Sequence, residues 1–311
     1  MKLRVVGIAA FVLAALLVLG WIFAVPGELK TLVHFSRWQG SHVRASGYVD
    51  RAPAGTRVYW EEFGKRDGPP VVVLHAGLCS LEFMGGQIEA LANASYRVIA
   101  IDSRGHGKSS NTAPVLTYEM LTDDVAAVMD SLAIARADLV VWSDGGNLAL
   151  DLARRYPEHV RRLVAFGANR TPPPDGQDAK MTQEFKDAKA DAGMLAPLRY
   201  LYEKNSSTPD KWPEFFARGK AMVFAGPNWS LEQLGAIRAR VLLENGEHDL
   251  VLLPYATAMK DAIPGARLEI VRGEGHELPL ASPAKANPIM LSFLRHTRLE
   301  PRGDSHVHQE P

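Results

Sequence analysis

The 311 residues are 47% hydrophobic and 23% charged, an ordinary globular composition that can bury a full core and suits one large α/β domain with an insertion rather than several modules. Lysine plus arginine (35) balance aspartate plus glutamate (35), and no basic cluster recurs along the chain, so nucleic acid is not an expected partner. Cys79 is the single cysteine, which excludes an intrachain disulfide and leaves the redox compartment open.

Residues 5–25, VVGIAAFVLAALLVLGWIFAV, carry no charge and are flanked by Lys2 and Arg4 before and by Pro26 and Gly27 after. A helix of that length spans roughly 30 Å, the thickness of the hydrocarbon layer. The run predicts an uncleaved transmembrane signal anchor. It exceeds the apolar core of a cleaved signal peptide, and Ile22-Phe23-Ala24 makes a poor cleavage site; secretion after cleavage is the alternative. Lys2 and Arg4 are expected to hold the N-terminus in the cytoplasm and to place everything after Val25 on the non-cytoplasmic side, periplasmic in a bacterium, while Lys30, Arg37 and Arg44 pull against that orientation.

Residues 26–55 mix Gly, Pro, Ser and Arg without sustained periodicity and read as a juxtamembrane linker leading into a first strand. Strands are then predicted at 57–62, 71–75, 97–102, 139–142, 162–166, 240–244 and 267–271, and helices at 81–94, 120–132, 145–156 and 254–263. Several strands are fully apolar, as strands covered on both faces must be. The pattern is α/β: a mostly parallel sheet flanked by helices, with its core in 56–170 and 231–296. Residues 171–230 break the alternation with TPPPDG and a helix-prone stretch holding Phe185, Tyr200, Tyr202, Trp212, Phe215, Phe216, Phe224 and Trp229. That is too long for a plain loop and predicts a helical cap whose aromatics mostly form its own core. A minority should face a pocket, with Trp212 and Phe216 as the candidate substrate contacts. Residues 297–311 form a polar, frayed tail, in which Arg302-Gly303-Asp304 and the pair His306 and His308 carry no expected role.

The most informative stretch is LVVWSDGGN, residues 139–147, where an apolar strand stops at Ser143 and small residues follow at once. In a G-x-S-x-G elbow the sharp turn needs small residues two positions before and after the nucleophile. Gly145 satisfies the later position, and Val141 replaces the usual glycine at the earlier one. Asp144 is the competing nucleophile in a frame shifted by one, as in dehalogenases and epoxide hydrolases, but that frame puts Trp142 where a small side chain is needed. The bland alternative is a serine capping an ordinary helix.

Three further segments each follow a predicted strand. His75-Ala76-Gly77-Leu78 turns backbone amides toward a cleft, so that Gly77 or Leu78, together with Asp144, supplies the oxyanion donors. Glu244-Asn245-Gly246-Glu247-His248-Asp249 ends a late strand and offers Asp249 as the carboxylate, with Glu247 as the alternative acid and His248 as an alternative base or ligand. Gly273-Glu274-Gly275-His276 ends the last strand and offers His276 as the base, because an imidazole held by a carboxylate can take a hydroxyl proton near neutral pH.

On these segments, and on DSRGHGKS at 102–109, the chain resembles the α/β-hydrolase superfamily, specifically its capped serine hydrolases related to biphenyl-hydrolase-like and valacyclovir-hydrolase-like enzymes, over roughly 57–294. Ser143, Asp249 and His276 follow that superfamily's chain order. Ala76 and Val141 depart from its commoner glycines. The resemblance implies acyl transfer to water from a small-molecule ester, amide or thioester, or hydrolysis of a carbon–carbon bond, with no metal or organic cofactor. It also implies that Arg104 and His106 belong to a structural turn, and that Asp144 projects toward a cationic substrate group or else only completes a helical turn. A binding protein that keeps the fold without turnover is the remaining alternative.

Overall fold

The computed structural model describes residues 27–295. The predicted membrane span at 5–25 and the tail motifs beyond 296 lie outside the described residues. Among the described residues no helix is long and apolar enough to cross a membrane.

The order of elements begins with α1 (Gly27–His42), β1 (Ala45–Arg51), β2 (Thr56–Gly64), β3 (Pro70–Leu74), α2 (Gly85–Asn93), β4 (Arg97–Ile101) and α3 (Tyr118–Ser131). It continues with β5 (Ala137–Trp142), α4 (Asp144–Arg155), β6 (Val160–Phe166), α5 (Ala179–Asp187), α6 (Ala196–Asn205), α7 (Trp212–Ala225) and α8 (Leu231–Gly235). The chain closes with β7 (Arg240–His248), α9 (Leu253–Ala262), β8 (Arg267–Gly275), α10 (Leu278–Ala281) and α11 (Pro283–Arg295). The strands form one eight-stranded sheet in the order β1-β2-β4-β3-β5-β6-β7-β8. β4 through β8 in that order run parallel, whereas β2 pairs antiparallel with β1 and with β4. Two apolar layers sandwich the sheet, which explains the unbroken apolar runs. Leu139 and Val141 of β5 face one layer, and Val140 and Trp142 face the other.

Residues 27–42 are a helix, not the aperiodic linker expected there. Its partners explain the difference. Phe35 is fully buried and lies where a Cβ on Gly85 would overlap its ring, while Trp38 stacks on Phe63 at 5.6 Å. The apolar positions Leu32, Phe35 and Trp38 hold one face to the domain, and that face is completed by Phe63 and by a glycine far along the chain. α11 is a further helix outside the predicted set; Pro288 sits inside it and interrupts the pattern that would have marked it.

The insertion between β6 and β7 is helical. Leu195, Tyr202, Trp212, Phe215 and Phe216 pack into one buried cluster with Leu78, which reaches up from the loop after β3. Tyr202 and Phe215 stack at 4.6 Å. These aromatics hold the cap to the domain beneath it, each ring removing apolar area from water at roughly 25 cal/mol per Å².

Candidate active site

The site is built where parallel strands end at one edge of the sheet, the place such folds put ligands. Ser143 follows β5, Gly167 follows β6, Asp249 follows β7 and His276 follows β8. The register pairs His248 with Gly275, so the residues just beyond each, Asp249 and His276, emerge side by side. β7 and β8 run to His248 and Gly275, farther than their apolar cores at 240–244 and 267–271 suggested, and this extension carries the two side chains to the edge.

Ser143 has φ +52 and ψ −119, the strained backbone of a nucleophile elbow. Such a conformation costs a non-glycine residue on the order of 1–3 kcal/mol and must be imposed by its surroundings. A Cβ at Gly145 would stand 2.7 Å from the carbonyl oxygens of Leu74 and His75, and one at Gly146 would stand 2.6 Å from Ala168. Small residues at both positions let the helix start directly under the serine. Val141 meets no such obstacle because it points into the apolar layer.

Ser143 Oγ lies 2.9 Å from His276 Nε2, and His276 Nδ1 lies 2.8 Å from Asp249 Oδ1. Asp249 is buried, and its Oδ1 also accepts the Val251 amide at 2.9 Å. With Nδ1–H donated to the carboxylate, Nε2 is left to accept the serine proton. Glu247, the alternative acid, instead accepts the Gly273 amide at 2.9 Å, and His248 is 72% exposed, away from this line. Burial pulls the His276 pKa down, but the Asp249 carboxylate, by charge and hydrogen bond, outweighs it with help from Glu277 and Asp144. The result is raised above 6.5.

The loop after β3 requires a correction. Leu78 has φ +60, its amide donates to His106 Nε2 at 3.1 Å, and its side chain is buried in the cap cluster. That amide is therefore committed and is not an oxyanion donor. The Gly77 amide meets no acceptor among the described residues, and Asp144 opens α4, where the first amides have no intrahelical acceptor. These two N–H groups are the available pair. His75 Nε2 accepts the Ser103 amide at 3.0 Å, so both His75 and His106 are fixed as Nδ1–H tautomers. Burial pushes their pKa values down to about 3 and about 4, with the neighbouring His106 adding to the effect on His75. Arg104 is buried in a bidentate pair with Asp124 at 2.7 and 2.6 Å.

A cavity of about 680 Å³ lies over Ser143 and His276. Among the described residues its charged lining side chains are Glu28, Asp144, Glu184 and Glu277, with no lysine or arginine. Asp144 Oδ1 accepts the Tyr118 hydroxyl at 2.6 Å, and its other oxygen lies against Gly77, where no Cβ would fit. Burial raises the Asp144 pKa, while Tyr118 and His276 moderate the rise. Trp212 and Phe216, expected at the substrate, do not line the cavity. Trp212 is 1% exposed with its indole N–H bonded to the Ala190 carbonyl at 2.6 Å, and Phe216 packs beside it in the cap core. Met181, Phe185, Leu198 and Met222 face the cavity instead.

Two supporting residues were missed. Trp142 donates its indole N–H to the His276 carbonyl at 2.8 Å, fixing the loop that carries the imidazole. Gly167, at φ +55, faces the imidazole so closely that a Cβ would stand 2.7 Å from His276 Nδ1. Gly167→Ala should therefore displace the ring and lower hydrolytic turnover about 10²-fold, the order that a 1 Å misplacement costs. The check is kcat alongside an unchanged far-ultraviolet circular dichroism spectrum; undiminished turnover would show that the ring needs no such seat.

Residues 69–199 match the α/β hydrolase fold family. Among curated relatives, a non-heme chloroperoxidase of Streptomyces lividans is 28% identical over 78% of this chain and 97% of its own length. Serine hydrolase BPHL of Homo sapiens is 27% identical over 78% of this chain and 84% of its own. A solved hydrolase structure from Pseudomonas aeruginosa superposes with a TM-score of 0.67 at 22% identity, covering 81% of this chain and 99% of that one. With this sheet order, elbow and match, the chain has the α/β-hydrolase fold and is similar to hydrolases of that superfamily.

Proposed function

We propose that the protein is a serine hydrolase that cleaves carboxylic esters through an acyl-enzyme on Ser143. The observation that carries this is the unbroken hydrogen-bonded line from Ser143 Oγ through His276 to Asp249, at 2.9 and 2.8 Å. His276 takes the Ser143 proton as Oγ attacks the ester carbonyl, and the imidazolium that forms is stabilised by Asp249. The amides of Gly77 and Asp144 receive the oxyanion of the tetrahedral intermediate. His276 then protonates the departing alcohol, and water repeats the sequence on the acylated serine to release the acid. Amide and thioester cleavage need no other groups, so the leaving group is decided by fit rather than by chemistry.

The Asp144 frame is the less favourable route. Asp144 Oδ1 is already engaged by Tyr118, whereas the His276 Nε2 lone pair is directed at Ser143. Asp144 has a second possible use, as recognition of a cationic substrate group. The acidic lining without lysine or arginine supports neutral or cationic esters over anionic ones, and it repels the carboxylate product. We further propose that residues 5–25 anchor the enzyme in a membrane with its catalytic domain on the non-cytoplasmic face, on the strength of the uncharged run and of Lys2 and Arg4 before it.

A fluorophosphonate should form an adduct on Ser143, located by peptide mass mapping, and Ser143→Ala should lower kcat by about 10⁴ to 10⁶. An active enzyme with no adduct, or one labelled elsewhere, overturns the assignment.

The acid limb of kcat/KM tests the base. His276 acts only when neutral, and its raised pKa keeps it protonated to higher pH than a free imidazole. Activity should therefore fall as pH drops, with a midpoint above 6.5. Asp249→Asn should move that midpoint down and lower kcat by up to about 10⁴, since an amide favours the wrong tautomer. A wild-type midpoint below the free value, or an unaltered one in Asp249→Asn, contradicts the pairing.

A further inference from the structure

We propose that the cavity opens toward a lipid bilayer through the start of α1, and that the substrates are lipophilic esters taken from that bilayer rather than polar esters taken from water. The inference rests on the serine-hydrolase reading and on the entry of residues 5–25 into a membrane.

α1 is part of the cavity wall. Glu28, Leu29 and Leu32 line the same cavity as Ser143 and His276, although they precede the matched segment at 69–199 by some forty residues. The helix is fixed in place at both ends of its contact. Phe35 is fully buried against Gly85, and a Cβ on Gly27 would stand 2.6 Å from the Ala281 carbonyl oxygen. The rim is open, and it mixes exposed apolar side chains with the exposed acidic residues Glu184 and Glu277. Leu29 is 47% exposed, and Met181 of the cap helix α5 is 41% exposed, although both line the cavity. Behind them Leu32, Phe83, Leu198 and Leu280 continue an apolar lining inward. Exposed apolar side chains around a cavity mouth are a cost in water and an asset against acyl chains.

Chain length supplies the occupant. Only Pro26 and Gly27 separate Val25, the last residue of the uncharged run, from Glu28. Three residue steps reach at most about 11 Å. With the end of the run at the membrane surface, Glu28 in the cavity wall is within that reach of it, whichever way the span is oriented. A soluble partner or a second copy of the chain has no comparable tether. The carboxylates Glu28, Glu184 and Glu277 at the same lining favour neutral esters over anionic lipids.

The test uses the full chain in phosphatidylcholine vesicles purified by flotation. kcat/KM is compared for p-nitrophenyl butanoate in water and p-nitrophenyl dodecanoate dissolved in the bilayer. Leu29→Gln, and separately Met181→Gln should either variant fold poorly, should lower the dodecanoate-to-butanoate ratio about tenfold, the order that one apolar contact in a pocket supplies. Tyr200→Gln, 63% exposed on the cap and outside the cavity lining, should leave the ratio unchanged. An unchanged ratio in both rim variants overturns the inference while fluorophosphonate labelling of Ser143 still supports the hydrolase. Failure of the chain to float with vesicles also overturns it and removes the membrane attachment with it. Loss of labelling at Ser143 in the wild-type chain would instead strike the serine mechanism.

Discussion

The imidazole of His276 has to meet Ser143 and Asp249 at once, and the packing around it is organised to hold that ring. Ser143 and Asp249 end strands separated by β6, so the gap between them is bridged only by a ring lying over the end of β6. Gly167 occupies that end and has no Cβ to collide with the imidazole. Trp142 pins the backbone of His276 itself through its carbonyl, and its ring sits 5.9 Å from the imidazole. The sheet brings the two outer groups to the right edge, and one missing methyl group lets the third sit between them.

A second set of buried contacts fixes the opposite wall. His75 and His106, both neutral, accept backbone amides from the turn after β4 and from Leu78. Asp102 accepts the amides of Leu81 and Lys108, both at 2.8 Å, tying the loop after β3 to the loop after β4. Leu78 carries this order into the cap by inserting its side chain among the cap aromatics. Gly77 is thus held by neighbours on both sides, the preorganisation that its proposed oxyanion role requires. Cys79, in the same loop, is buried, and burial with Asp144 and Glu277 nearby raises its thiol pKa. It behaves as a small packing residue, not as a thiolate.

The strands were legible in the sequence because burial on both faces makes them apolar throughout, and the strand-end segments were legible because glycines mark sharp turns. The meeting of Ser143, Asp249 and His276 followed from chain order and strand ends. Finer assignments depended on partners far away in the chain. Leu78 and Gly77 are equivalent as loop amides until His106 takes one of them. Trp212 and Phe216 have the right chemistry for a substrate wall, but helix rotation turns them toward Leu78 and Tyr202. α1 was hidden because the complement to Phe35 is the absent side chain of Gly85, and an absence leaves no pattern to read. The cost was more than a helix, since α1 contributes Leu29 and Leu32 to the cavity wall.

The central claim is that Ser143, not the adjacent Asp144, bonds to the substrate, and a single turnover in heavy-oxygen water distinguishes them most directly. In the serine route water attacks the acyl carbon, so the label appears in the released acid and peptide mass spectrometry finds none in the segment holding Ser143 and Asp144. In the aspartate route water attacks the side-chain carboxyl carbon, and the label enters Asp144. The account predicts an unlabelled peptide and a labelled acid; heavy oxygen in Asp144 would contradict it.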